Sequence, residues 1–219
     1  MDIARMIDQS LLKPDVIRQQ VEQLCLEGRE HNFFSIVVNP VWVSLCKRLL
    51  YDSAVKICTV SGFPLGANKL ELKAKEAEIA ISDGADEIDM VMNVGAFKTG
   101  DFMLVEKEIK DIKSVLGKDK ILKVIIEAAV LTNQEKVKAA QIVKTCGADF
   151  VKTSTGFGYG GATIEDVKLL RKTVGENFGV KASGGIKDFQ TAMNLIQAGA
   201  NRIGTSSGVR IVEESRSGK

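Results

Sequence analysis

The 219-residue sequence has one histidine, His31, set in a charged GREHN stretch that reads as solvated surface. Its scarcity removes the usual histidine chemistries, from nucleophile activation to imidazole-ligated metals. The four cysteines, Cys25, Cys46, Cys58 and Cys146, form no CxxC pair and have no histidine at ligand spacing, so they read as small buried hydrophobes in a reducing compartment. No eighteen apolar residues run together, and the opening MDIARMIDQSLLKPD carries charges every few positions. A signal peptide and a membrane span are thereby excluded, and a cytoplasmic protein is expected. Charge of one sign is missing too: 30 basic residues against 28 acidic leave +2, with no basic cluster to follow a phosphate backbone. Nucleic acid is not an expected partner. No GxGxxG turn follows the first strand, which argues against a nucleotide-binding open sheet.

What is present is a core-forming composition, 45% hydrophobic, long enough for one domain over residues 1–219. One phrase recurs three times, as DGADEIDM from Asp83, CGADFVKT from Cys146 and AGANRIGT from Ala198. Each copy supplies a glycine able to end a helix, an Ala-Asp or Ala-Asn turn, and a short strand. Helical stripes stand between the strands, with Leu70, Ala74, Ala77 and Ile81 on one and Phe102, Val105, Ile109, Ile112 and Leu116 on another. Strands are predicted near residues 33–38, 55–60, 87–93, 121–127, 150–154, 180–183 and 202–205, with 6–8 as an eighth. A first helix is predicted from Pro14 to Gly28, the proline suiting its first turn and the glycine its stop. Eight alternating units favour a single (β/α)8 barrel.

Strand alternation then sorts the polar residues. In EIDMVMN, Ile88, Met90 and Met92 suit the helix layer, which turns Asp89 and Asn93 inward. In ILKVIIEA, Leu122, Val124 and Ile126 face out and Glu127 faces in; in FVK and VKA, Lys152 and Lys181 face in. Two lysines and two carboxylates in a water-poor barrel are either a structural ion-pair cluster or a Schiff-base site. Desolvation and a neighbouring ammonium both lower a lysine's pKa, which frees the amine to attack a carbonyl, and a carboxylate can relay the protons. Parity alone does not say which lysine reacts. Independently, Gly184 and Gly185 follow the seventh strand and Ser206, Ser207 and Gly208 the eighth, where barrels commonly hold phosphate on backbone N–H groups.

IDQSLLKP, GFPLGA, ADEIDMVMNVGA, KVIIEAAVLT, DFVKTSTGFG, VKASGGIKD and GANRIGTSSG together resemble the deoxyribose-phosphate aldolase family, a class I group, along nearly the whole chain. The resemblance implies that Lys152 is the Schiff-base lysine, Lys181 the lysine that perturbs it, Asp89 the proton-transfer carboxylate and Asp8 the partner of Lys181. It implies substrate and phosphate contacts from Thr153, Gly184, Gly185, Ser206, Ser207 and Lys187. It further implies reversible cleavage of 2-deoxy-D-ribose 5-phosphate to D-glyceraldehyde 3-phosphate and acetaldehyde, no metal or other cofactor, and a homodimer. Many relatives read His-Thr at Gln9 and Ser10, Cys at Val38, Thr at Ala128 and Arg at Lys187, and some carry a basic residue at Phe157. These differences bear on substrate grip and rate. The competing readings are another phosphosugar barrel, whether a different Schiff-base aldolase or an isomerase, and a phosphosugar-binding protein without catalysis.

Overall fold

In the computed structural model, which describes residues 2–217, eight parallel strands close into a barrel in chain order, the eighth pairing back to the first. β1 (Ile7–Leu11), β2 (Ser35–Val38), β3 (Lys56–Ser61) and β4 (Glu87–Val91) form one half. β5 (Ile121–Ile125), β6 (Phe150–Lys152), β7 (Gly179–Ser183) and β8 (Arg202–Thr205) form the other. Around them lie α1 (Arg18–Glu30), α2 (Val43–Leu49), α3 (Leu70–Ser82), α4 (Val94–Lys98), α5 (Phe102–Leu116), α6 (Asn133–Thr145), α7 (Ile164–Val174), α8 (Phe189–Gln197) and α9 (Gly208–Ser217). The main core fills the space between barrel and helices, with Ile88, Met90, Leu122, Val124, Val151 and Val180 fully buried from the sheet side. Among the described residues no helix is long and apolar enough to cross a membrane.

The repeated phrase marks the N-terminal rim. Gly84, Gly147 and Gly199 take φ of 111°, 83° and 116°, as the left-handed helix ending requires. The next polar residue then fastens the preceding strand: Asp86 accepts from Ile57 N–H, Asp149 from Leu122 N–H and Asn201 from Val180 N–H. Each repeat is therefore a strand clamp.

Several boundaries differ from expectation. β1 starts one residue later than predicted, because Ile3–Met6 winds into a 3-10 turn capped by Asp2. The first helix starts at Arg18 rather than Pro14 and runs past Gly28. Gly28 is a close-packing residue, since a Cβ there would stand 3.0 Å from Ile36 Cγ2, and the chain reverses at Asn32, φ 54°. β4 and β5 end at Val91 and Ile125, short of Asn93 and Glu127.

Candidate active site

Strand alternation delivers a line of charge into the barrel. With Ile88 and Met90 packed on the helices, Asp89 points inward from β4 and is fully buried. The ladder sets Lys152 beside Lys181, and Lys181 beside Arg202. Asp89 is the common acceptor: Oδ2 lies 2.7 Å from Lys152 Nζ and 2.8 Å from Lys181 Nζ, and Oδ1 lies 2.9 Å from Lys123 Nζ. Lys181 Nζ also lies 2.6 Å from Asp8 Oδ2, whose other oxygen accepts from the Ser35 hydroxyl at 2.7 Å. The Cys58 thiol donates to Asp89 Oδ1 at 3.2 Å.

The two lysines that parity left equivalent are electrostatically different. Burial and, after it, the Lys181 ammonium lower the pKa of Lys152 against the pull of Asp89. Burial acts on Lys181 as well, but Asp8 and Asp89 outweigh it and hold that lysine above its usual range. Asp8 is desolvated, yet Lys181, Arg202 and Lys123 bring it down to about 2. Asp89, likewise buried, is held far down by Lys123, Lys152 and Lys181, so it remains a carboxylate.

Lys152 and Lys181 form the floor of a cavity of about 550 Å³ at the C-terminal ends of the strands, the end where barrel enzymes build their sites. Its walls include Ser10, Val37, Phe157, Gly184, Gly185, Lys187 and Ser206. Gly185 has φ 78° and nothing within 4 Å of a built Cβ, so its backbone faces open space. Ser207 stands behind Ser206 at the start of α9, its N–H donated to Thr205 Oγ1. Thr153 is fully buried below the wall, where its hydroxyl donates to Ser183 O and accepts from Ser183 N–H.

Two inward assignments do not hold. Asn93 caps α4, accepting from Ala96 N–H. Glu127 turns away from the lysines: its backbone adopts φ 50°, and its carboxylate accepts from Thr155 N–H and hydroxyl. Alternation fails at both because the strands have already ended. Of the positions where relatives differ, Ser10 lines the cavity, whereas Gln9 accepts from Gly208 N–H. Val38 packs in the outer core, leaving Val37 to meet the cavity, and Ala128 is also core. Missing from the sequence reading were Lys123, Glu87 and Arg202. Glu87 is two residues from Asp89 on the same strand, and parity extended along β4 would have found it; Lys123 and Arg202 become inward through the ladder, which pairs them with Asp89 and Lys181.

A family model described as DeoC/LacD family aldolase matches residues 3–214. The deoxyribose-phosphate aldolase of a Geobacillus species is 57% identical over 212 residues, 97% of this chain and 95% of the relative. Among solved structures, an aldolase designated QR15 aligns with a TM-score of 0.95 at 42% identity, over 99% of this chain and 97% of that one. A deoxyribose phosphate aldolase from Aeropyrum pernix, described as a unique tetramer, aligns with a TM-score of 0.92 at 34% identity, over 99% of this chain and 92% of that one.

Proposed function

This chain belongs to the DeoC/LacD family of aldolases, and from that membership we propose that Lys152 forms the Schiff base through which 2-deoxy-D-ribose 5-phosphate is cleaved to D-glyceraldehyde 3-phosphate and acetaldehyde. The observation that carries the assignment of roles is the opposite behaviour of two adjacent lysines on one cavity floor. Lys152 is pushed toward the free amine, while Lys181 is held charged between two carboxylates.

In the forward direction the neutral Lys152 amine attacks the aldehyde carbon of the open-chain sugar, giving a carbinolamine that loses water to an iminium. Breaking the C2–C3 bond, with the C3 hydroxyl proton removed, sends the electron pair into the iminium and releases glyceraldehyde phosphate. Protonation of the resulting enamine carbon and hydrolysis return acetaldehyde and the amine. Asp89, held as a carboxylate below the cavity floor, passes protons between the Lys152 and Lys181 nitrogens, the groups that meet water or a substrate oxygen.

The phosphate is read at the Gly184–Gly185 turn and Ser206, with the start of α9 and Ser207 behind it. Lys187 approaches as a point charge, without an arginine's fork. Phe157 adds no charge, and Thr153 supports the wall through Ser183. The chain is read as one catalytic domain, a cytoplasmic homodimer whose partners are small aldehydes and phosphosugars. The chemistry needs neither metal nor cofactor, and no group of three His, Cys, Asp or Glu among the described residues could hold a metal ion.

The test is to incubate the protein with the sugar phosphate, assay acetaldehyde, and reduce the imine with borohydride before peptide mapping. Release of acetaldehyde with the adduct on Lys152 is expected. A label on Lys181 would reverse the two roles, isomerised sugar without an adduct would indicate an isomerase, and binding without turnover a phosphosugar-binding protein.

A further inference from the structure

Beneath the cavity floor the line of charge continues. Lys123 Nζ, besides its bond to Asp89, lies 2.6 Å from Glu87 Oε2. Arg202 Nη2 lies 2.7 and 2.8 Å from the two Glu87 oxygens, and its Nε 3.3 Å from Asp8 Oδ1. Its guanidinium carbon stands 3.2 Å from the centre of the Phe34 ring. Lys123, Glu87 and Arg202 are buried and absent from the cavity wall, so they cannot touch a substrate. The whole set holds four bases, Lys123, Lys152, Lys181 and Arg202, against three carboxylates, Asp8, Glu87 and Asp89. A buried cluster of this kind is least costly when its charges cancel, and four against three cancel when one base is neutral. Arginine does not give up its proton. Lys181 contacts Asp8 and Asp89, Arg202 contacts Asp8 and Glu87, and Lys123 contacts Glu87 and Asp89, whereas Lys152, on the cavity floor beside Lys181, contacts Asp89 alone.

We propose that Lys123 and Glu87 are positioning residues that set the charge balance beneath Asp89 and thereby fix the pH at which the Lys152 amine becomes free to react. This inference rests on the reading of Lys152 as the imine-forming residue. The groups acting on Lys152 are Asp89 from β4, Lys181 from β7 and the Cys58 thiol from β3, and behind them in the same cluster stand Glu87 from β4, Lys123 from β5, Arg202 from β8 and Asp8 from β1. Burial raises the pKa of that thiol, so it stays neutral. On the cavity wall above are Lys13, Asp15 and Lys187. Removing Lys123 leaves three bases against three carboxylates, a set that cancels with Lys152 protonated. Removing the Glu87 charge leaves four against two, which disfavours the Lys152 ammonium further.

The two substitutions should therefore move the acid limb of kcat/KM in opposite directions, although neither residue contacts substrate. Lys123→Met should shift it upward by about one pH unit and Glu87→Gln downward by a similar amount, the scale expected of a nearby charge. The double variant has three bases against two carboxylates, again one base in excess, and its limb should return toward the wild-type position. A purely structural role would lower activity without this reversal of sign or this rescue. Peptide mapping of the reduced acetaldehyde adduct accompanies each profile. An adduct away from Lys152 in the wild type would overturn the reading of the site itself. An adduct on Lys152 with limbs that stay fixed, move the same way, or fail to return in the double variant would overturn the charge-balance inference alone. Should Lys123→Met not fold, Glu87→Gln, which keeps the shape and one of the two acceptor oxygens, decides the matter by the direction of its shift.

Discussion

Two buried lysines in this protein have their proton affinity reduced by the same leading cause, desolvation, and only one of the two opens on a cavity. Lys73, on α3, donates to Glu108 of α5 at 2.9 Å and to the carbonyl of Val91 at 3.0 Å, while the other Glu108 oxygen accepts from Asn93 N–H. Burial lowers its pKa against the pull of Glu108. That pair is one base to one acid, sealed between helices and fastened to the end of β4. Lys152 shares its carboxylate with two other lysines and opens on a cavity. A lowered pKa alone does not mark a nucleophile; a surplus of bases and a path to the substrate do.

The comparison breaks hardest at Lys152 itself. Lys152→Leu should abolish borohydride trapping with acetaldehyde at every pH, because no amine remains where the bond forms; persistent trapping, located by mass spectrometry, would move the chemistry elsewhere. Lys181→Leu should leave trapping possible but slow it near neutrality on the order of 10²-fold, since losing a neighbouring ammonium raises the Lys152 pKa. The rate should recover in part as pH rises and the free amine returns, and a pH series of trapping rates shows whether it does.

Lys73→Met should cost stability instead, about 3 to 5 kcal/mol, by leaving the Glu108 carboxylate buried and unpaired. Urea unfolding measures that loss, and Lys73→Met combined with Glu108→Leu should recover much of it. The pH limb of trapping should stay in place in both, and a shift there would erase the distinction between the two lysines. Gly185→Val tests the opposite rim of the cavity. A branched side chain beside an anion-facing N–H, at a φ that disfavours it, should weaken binding of the phosphorylated sugar about ten- to hundredfold, the worth of a charge-assisted hydrogen bond. Turnover of unphosphorylated deoxyribose should change much less; equal losses on both would mean damage to the fold. The smallest effect expected is none at all: exhaustive chelation should leave activity intact, and loss restored by a divalent ion would end the metal-free reading.

The pattern of strands and helices was legible because period-two and period-3.6 repetition is written residue by residue, and Asp89, Lys152 and Lys181 were legible because their strand neighbours are apolar on the other face. Strand ends were not. Glu127 and Asn93 sit two residues beyond the ends of their strands, and whether a residue is inside the ladder depends on its partner strand, as with Ile125 pairing to Lys152.

The sequence by itself determined which side chains enter the barrel and the order in which the strands meet, since alternation and short parallel connections leave little choice. Only the tertiary structure set the two inward lysines apart, lowering the pKa of Lys152 and raising that of Lys181. That difference lies in Asp8 from β1, Glu87 and Asp89 from β4, Lys123 from β5 and Arg202 from β8. These residues are up to 194 positions apart along the chain, from Asp8 to Arg202, and barrel closure brings their charges within bonding distance, where water no longer screens them.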